Sequence, residues 1–337
     1  MIRRCASIVA LVGAAALMAG CGSGGGGHSL VLYNGQHLEL TRSLVSAFQR
    51  ATGIQVKLRT DDGVVLADQI LQEGHSSPAD VYLTENSPEL VELSEHGLLA
   101  RLPQSVLTQV PARDRAPGGT WVGVALRVSS LVYNPSLLSR SQLPHSILDL
   151  AQPAWKGKVA IAPIDSDFPP VVGAVIATKG EKAAAQWLAG MKRNADVYQT
   201  EESVVAAVNR GDVAAGIINQ YYWYRLQREI GHSAMRSALY YFPSGDPGSI
   251  VNVSGVAVLG TTRQKQDAQR FVAFLVSPAG QKLISQGDDF EYPTRPGVSP
   301  NPVLPPFATI AHTSIPASRL GNDREAVQLI LHSDFGS

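Results

Sequence analysis

Short apolar runs alternate along the first half of the chain with longer segments in which apolar residues recur every three or four positions. The short runs, typical of strands, stand at 29–35, 54–60 and 79–85. Between the first two, Leu40, Leu44 and Phe48 follow the four-residue spacing of a helix. A further helix is predicted to begin with Ser87 as its cap and Pro88 in its first turn. This alternation predicts an α/β fold with a mainly parallel sheet.

The second half repeats the alternation and adds two unusually long β runs. Strands are predicted at 157–163 and 213–219, and helices at 182–192 and 220–231. The long runs are WVGVALRVSSLVY, at 121–133, and SIVNVSGVAVLG, at 249–260. Each is long enough to leave one sheet and join another. Two such crossing strands between α/β units predict two lobes joined by a hinge.

The N-terminus has the pattern of an export signal. Arg3 and Arg4 precede an apolar run at 8–18 that is too short to span a bilayer comfortably. The run ends in LMAGC, which resembles a bacterial lipobox, so residues 1–20 are predicted to be a lipoprotein signal peptide and Cys21 the lipidated mature N-terminus. Residues 21–27 are rich in glycine and suit a flexible tether. The alternative is an ordinary signal peptide followed by an incidental cysteine.

Composition and motifs favour a binding protein over an enzyme. After removal of residues 1–20, 317 residues remain, with 26 basic and 28 acidic side chains, a balance that argues against a nucleic-acid-binding surface. The only cysteines are Cys5 and Cys21, which leaves no thiol for catalysis, zinc or disulfides in the predicted mature domain. The sequence has no phosphate loop ending in Lys-Ser/Thr, no GxGxxG that opens a predicted helix, and no HExxH or GxSxG motif. A dispersed Ser-His-Asp set stays open as an alternative.

Polar and aromatic residues follow several predicted strands. His37, Glu85 and the segment NQYYWY at 219–224 each come directly after a strand, where open α/β sheets bind their ligands. The aromatic segment has three interpretations: core packing, a stacking platform, or phenol oxygens that bind a ligand. We expect core positions for Trp223, Tyr224 and Leu226.

Several segments resemble, in order and spacing, the bacterial periplasmic ferric-ion-binding proteins. These segments are LYNGQH (32–37), PADVYLTEN (78–86), WKGKVAI (155–161), INQYYWY (218–224) and DPGSIVNVSGVAVL (246–259). The resemblance implies a two-lobed periplasmic-binding-protein fold of the class II type, with a hinge of two crossing strands. It places lobe one at 28–127 plus 252–302, and lobe two at 128–251 plus 303–337.

The resemblance also implies a ferric-ion site formed by His37, Glu85, Tyr221 and Tyr222. Independent chemistry agrees with these residue types, because trivalent iron is a hard cation that favours oxygen anions. Two phenolates and one carboxylate bring three negative charges to the ion. Adjacent helical residues point about 100° apart, so both tyrosines can reach one ion only from the first turn of a helix.

A small anion completes the iron coordination in many of these relatives, and here the corresponding stretch is different. The candidate residues at this edge are Arg127, Asp165, Ser166, Asp167, Glu202 and Asn219. Because carboxylates repel an anion, we expect no dependence on phosphate. Water or one of Asp165, Asp167 and Glu202 is expected to complete the shell, and carbonate held by Arg127 is the competing arrangement.

The sequence therefore predicts a monomeric, exported, lipid-anchored receptor that delivers Fe³⁺ to the membrane subunits and ATPase of an ABC importer. Its site is predicted to hold Fe³⁺, with carbonate or another small anion as a companion that the residues support less well. One alternative is a receptor of the same fold for an oxyanion, a polyamine or a thiamine-like compound. A secreted Ser-His hydrolase is the other.

Overall fold

The computed structural model describes residues 29–313, 315–321 and 323–335. The predicted signal peptide, the lipidation site Cys21 and the tether at 21–27 lie outside the described residues. Within the described part of the chain, no helix is long and apolar enough to cross a membrane.

Strands and helices alternate as the hydrophobic pattern indicates. The strands are β1 (Leu30–Gly35), β2 (Val56–Thr60), β3 (Val81–Thr84), β4 (Trp121–Tyr133), β5 (Val159–Ile161), β6 (Ala195–Val197), β7 (Ala215–Asn219), β8 (Ala238–Tyr240), β9 (Val251–Val258) and β10 (Tyr292–Pro293). The helices are α1 (Leu38–Thr52), α2 (Gly63–Glu73), α3 (Ser87–Glu95), α4 (Gln104–Leu107), α5 (Phe168–Lys179), α6 (Glu181–Asn194), α7 (Glu201–Arg210), α8 (Gln220–Ile230), α9 (Lys265–Leu275), α10 (Pro278–Gln286) and α11 (Arg324–Ser333).

The sheet is mixed, and β4 links its two halves. The strand order is β2-β1-β3-β9-β4-β7-β5-β6, with β8 and β10 also paired to β4. Strands β1, β2 and β3 are mutually parallel, as are β5, β6 and β7, whereas β4 and β9 run antiparallel to their neighbours. The predicted α/β fold is confirmed, and its sheet carries antiparallel crossing strands at the centre.

The pairing of β4 changes along its length. Residues 121–128 pair with β9, whereas residues 129–133 pair with β7. One half of the sheet therefore contains β1, β2, β3 and β9, and the other contains β5, β6 and β7. This arrangement suits the proposed lobe division at 127/128, which stays a prediction.

Apolar residues at helical spacing bury these elements against the sheet. Leu44 and Phe48 of α1 pack with Phe271 of α9 in one core, and Val171 of α5 and Trp187 of α6 belong to a second. The remaining large cluster packs α2, α3, α7 and α8 on their half-sheets. This third cluster includes residues of both α3 and α8.

The turns after β1 and β3 position the predicted site residues. Gly35, which ends β1, lies so close to α2 that a Cβ there would stand 2.5 Å from Cα of Gly63, so this position requires glycine. The prediction that Ser87 caps α3 is wrong, because Asn86 stands at the N-cap and its side chain makes no capping bond. The amide of Asn86 instead contacts Arg127 and Ser166.

Candidate functional site

Four of the predicted site residues meet between the two halves of the sheet. His37 precedes α1, Glu85 follows β3, and Tyr221 and Tyr222 lie in the first turn of α8. His37 Nδ1 lies 2.6 Å from Glu85 Oε1, and the His37 ring centroid lies 5.3 Å from that of Tyr221. His37 and Tyr222 are more than 180 positions apart in sequence, yet they line one site.

Both tyrosine hydroxyls converge on one carboxylate oxygen. Tyr221 and Tyr222 have ring centroids 4.0 Å apart, with planes inclined by 30°. Their hydroxyls donate to Asp167 Oδ2 at 3.2 Å and 3.4 Å, respectively. The convergence is a consequence of their position in the first helical turn, where no preceding turn blocks either side chain.

Arg127 is the buried cation of the site. Its side chain is fully buried on β4, and it lies 3.2 Å from Asp167 Oδ1, 3.2 Å from Glu291 Oε1 and 3.5 Å from Glu85 Oε2. It also donates to the backbone oxygen of Glu85 at 2.7 Å. A buried guanidinium needs such compensation, and here three carboxylates supply it.

Asp167 and Asp165 differ in environment although they are two residues apart. Asp167 is fully buried, and its carboxylate bridges Arg127 and the two tyrosine hydroxyls. The carboxylate of Asp165 instead accepts from the backbone amides of Asp167 and Glu201, at 3.1 Å and 3.0 Å. Of the two, only Asp167 accepts hydrogen bonds from the tyrosine hydroxyls.

The other candidates for the anion position, Glu202, Ser166 and Asn219, form contacts with residues other than the two tyrosines. Glu202 Oε1 lies 3.8 Å from Arg225, and both side chains are largely exposed. Ser166 accepts through its backbone oxygen from Asn86 at 3.2 Å. Asn219 is buried, and its Oδ1 accepts from Asn252 at 3.0 Å.

Sequence reasoning missed Glu291, Gln36 and Ser254. Glu291 is fully buried and accepts from Arg127, while Gln36 donates to Ser254 Oγ at 2.9 Å and bonds the His37 amide. The sequence offered one indication for Gln36, because this residue stands inside the NGQH turn. No sequence feature indicated Glu291, because it lies in a loop far from the recognised segments. Only the tertiary fold brings it to the site.

The electrostatics hold the two phenols neutral unless a strong positive charge is present. Burial raises the pKa of Tyr221 and Tyr222 well above the usual value, and the nearby charge of Asp167 adds to this. Burial disfavours the charged form of His37, but the adjacent Glu85 carboxylate outweighs it and raises the pKa of His37 to about 9. Burial acts to raise the pKa of Glu85, yet His37 and Arg127 lower it overall.

The donor set suits a hard cation. Within the described ranges, no group of three or more His, Cys, Asp and Glu side chains has a metal-binding arrangement. His37 Nε2 is buried without a hydrogen-bond partner in the same part of the chain. Phenol and carboxylate oxygens with one imidazole match the preferences of a trivalent ion.

Comparison with known proteins establishes the family. A family model described as bacterial extracellular solute-binding protein matches residues 76–310. The chain belongs to this family. A curated relative of this solute-binding protein is the Fe(3+)-binding periplasmic protein of Serratia marcescens, which is 39% identical over 96% of this chain and 95% of the relative.

Solved structures are similar along nearly the whole chain. Iron-bound HitA from Pseudomonas aeruginosa matches with a TM-score of 0.85 and 41% identity, covering 92% of this chain and 99% of that chain. The Trichodesmium protein IdiA (FutA), in complex with iron and citrate, matches with a TM-score of 0.80 and 29% identity, covering 91% and 100%. These matches confirm the predicted two-lobed periplasmic-binding-protein fold for this solute-binding protein.

Proposed function

We propose that this solute-binding protein is the receptor of a ferric-iron ABC importer and binds Fe³⁺ through His37, Glu85, Tyr221 and Tyr222. The observation that carries the proposal is the convergence of both tyrosine hydroxyls beside His37 and Glu85. The names of the Serratia relative and of the iron-bound structures support ferric iron as the ligand.

Charge balance favours a trivalent ion at this position. The phenolates of Tyr221 and Tyr222 and the carboxylate of Glu85 would supply three negative charges to Fe³⁺. Because burial keeps both phenols protonated, only a strong positive charge beside them makes the phenolates stable at neutral pH. The site therefore couples binding of a highly charged cation to release of the phenol protons.

We further propose that Asp167 takes the place of an external anion. Its carboxylate would add an oxygen donor next to the tyrosines, and Arg127, which it shares with Glu85 and Glu291, offsets part of the negative charge of this group. Asp165 and Glu202 are less suited to complete the shell, because their carboxylates bond backbone amides and Arg225 rather than the tyrosine hydroxyls. Arg127 is also poorly placed to hold carbonate while three carboxylates surround it.

The remaining features of the proposal concern export, membrane attachment and partner proteins. We propose an exported monomer, anchored by lipid on Cys21, that delivers iron to permease subunits with their ATPase and catalyses no reaction. Membership of the extracellular solute-binding family supports the transport role.

The test is metal analysis of purified protein together with its visible spectrum. We expect one ferric ion per chain and a charge-transfer band from phenolate to iron. Tyr222→Phe should bleach the band and weaken iron binding by orders of magnitude, whereas Tyr240→Phe, which changes a tyrosine bonded to the backbone of Pro144, should do neither. A protein without the band that binds an oxyanion or a polyamine would refute the proposal.

A further inference from the structure

Glu291 is a buried carboxylate beside the tyrosine site, and its side-chain contacts are with Arg127, Gln36 and Ser254 rather than with a proposed iron ligand. We propose that Glu291 is a positioning residue of the iron site: as the standing counter-ion of Arg127, it lets Glu85 and Asp167 turn from that arginine to the metal. This inference rests on the proposed function, because it concerns how the same site accommodates Fe³⁺.

Three donors hold the carboxylate of Glu291 in place. Glu291 stands in the loop between α10 and β10 and is fully buried. Its Oε1 accepts from Arg127 at 3.2 Å and from Ser254 Oγ at 3.4 Å, and Gln36 Nε2 lies 3.4 Å from each of its oxygens. Gln36 also accepts from the backbone amide of His37 at 2.6 Å. The carboxylate is therefore anchored to β4, to β9 and to the turn after β1.

The contact with Arg127 favours the ionised form of Glu291. Burial raises the pKa of Glu291, and the charges of Arg127 and His37 oppose that rise. An arginine side chain stays protonated in proteins, and here its NH1 lies 3.2 Å from Glu291 Oε1. A buried guanidinium without a carboxylate beside it would be costly, so each partner stabilises the charge of the other.

Arg127 has three carboxylate neighbours, and two of them are proposed iron ligands. Its NH2 lies 3.2 Å from Asp167 Oδ1, and its NH1 lies 3.5 Å from Glu85 Oε2. A carboxylate that binds Fe³⁺ offsets the charge of a neighbouring cation less well, because its own charge is already balanced by the metal. Glu291 keeps its charge beside Arg127 when the ion is bound. The guanidinium then stays compensated and opposes Fe³⁺ less strongly.

Loss of the charge on Glu291 would make Arg127 depend on Glu85 and Asp167 alone. The arginine would hold both carboxylates more firmly, and its positive charge would lie poorly compensated beside a trivalent ion. A neighbouring charge shifts an ionisation equilibrium by about one to three powers of ten. For Glu291→Gln we therefore expect the affinity for iron to fall by about tenfold to 10²-fold.

The experiment is a titration of citrate against the iron-loaded protein, with the charge-transfer band as the readout. Because Glu291 contacts no proposed ligand, the fully loaded Glu291→Gln protein should keep the band at its wild-type wavelength while its affinity falls. A merely structural role would instead move the ligands, and the band would be displaced or weakened. Thermal unfolding of the iron-free proteins checks that each variant is folded.

Three variants separate the charge of Glu291 from its hydrogen bonds and from the general charge of the protein. Glu291→Asp retains the carboxylate and should recover part of the lost affinity. Ser254→Ala removes a hydrogen bond to Glu291 but no charge, and it should lose less affinity than Glu291→Gln. Glu229→Gln removes an exposed carboxylate near the end of α8 and should bind iron as the wild type does.

Replacement of Arg127 tests whether Glu291 acts through the arginine. In an Arg127→Gln background, Glu291→Gln should lower the affinity by less than about threefold, because no guanidinium is left to compensate. Such a difference between the two backgrounds measures the coupling of the pair.

Several outcomes would overturn the inference. Wild-type affinity in Glu291→Gln would do so while leaving the proposed function intact. A displaced band, or an equally large loss of affinity when Arg127 is also replaced, would show that Glu291 acts by packing or directly on the ligands. Wild-type protein that binds no iron would refute the proposed function, and this inference with it.

Discussion

Replacement of Asp167 by alanine tests whether the chain carries its own anion. The change removes a carboxylate that pairs with Arg127 at 3.2 Å and accepts from Tyr221 and Tyr222. It leaves a small space in which an external anion could contact the same three residues. We expect wild-type iron binding to be nearly indifferent to phosphate, and we expect Asp167→Ala to require it.

The magnitude follows from the geometry of the pair. Two unit charges 3.2 Å apart interact by about 5 kcal/mol at an effective dielectric constant near 20. Glu85 and Glu291 still lie beside Arg127 after the substitution, so only part of this energy is lost. Phosphate-free Asp167→Ala should therefore bind iron about 10²-fold to 10³-fold more weakly, at about 1.4 kcal/mol per tenfold.

The assay is competition for iron with a chelator, followed by the charge-transfer band across a phosphate titration. Asp165→Asn is the matched control, because Asp165 accepts from backbone amides and does not contact either tyrosine hydroxyl. It should stay phosphate-independent. The reasoning is refuted if phosphate-free wild-type protein loses iron and added phosphate restores it, since an external anion would then be required despite Asp167.

Three further predictions concern pH, stability and the membrane. Iron binding near pH 7 should release about three protons, one each from Tyr221, Tyr222 and His37, because the pKa of His37 is raised to about 9 and both phenols are protonated. Calorimetry in two buffers of different ionisation enthalpy measures the number of protons released. Acid should expel the iron. Burial raises the pKa of Asp114 from 3.8 to about 6, so folding stability falls as pH rises between these values. The free energy of unfolding of Asp114→Asn, measured with urea, should therefore exceed that of the wild type by up to about 3 kcal/mol near pH 8 and by much less near pH 4. Cys21→Ser should move the protein out of the membrane fraction, and unchanged attachment would exclude the lipobox.

Local patterns predicted most of the fold. Periodicities of two and of three to four residues depend on neighbours within one turn or one strand, and they correctly located β1, β3 and β7 and the helices α1 and α8. They also placed Tyr221 and Tyr222 in the first turn of α8, where two adjacent side chains can point to one atom. The cap of α3 was predicted wrongly, because Asn86 turns its side chain toward residues distant in sequence.

Residue types and their order along the chain were sufficient to nominate His37, Glu85 and the tyrosine pair. The sequence could not distinguish Asp165 from Asp167, because both carboxylates lie in the same short loop and differ only in what the fold brings near them. Arg127, 40 residues from Asp167, decides that difference, just as it gives Glu291 a place in the site across 164 residues. Such pairings depend on how β4 crosses between the halves of the sheet. Tertiary structure alone therefore determined which carboxylate reaches the two tyrosine hydroxyls.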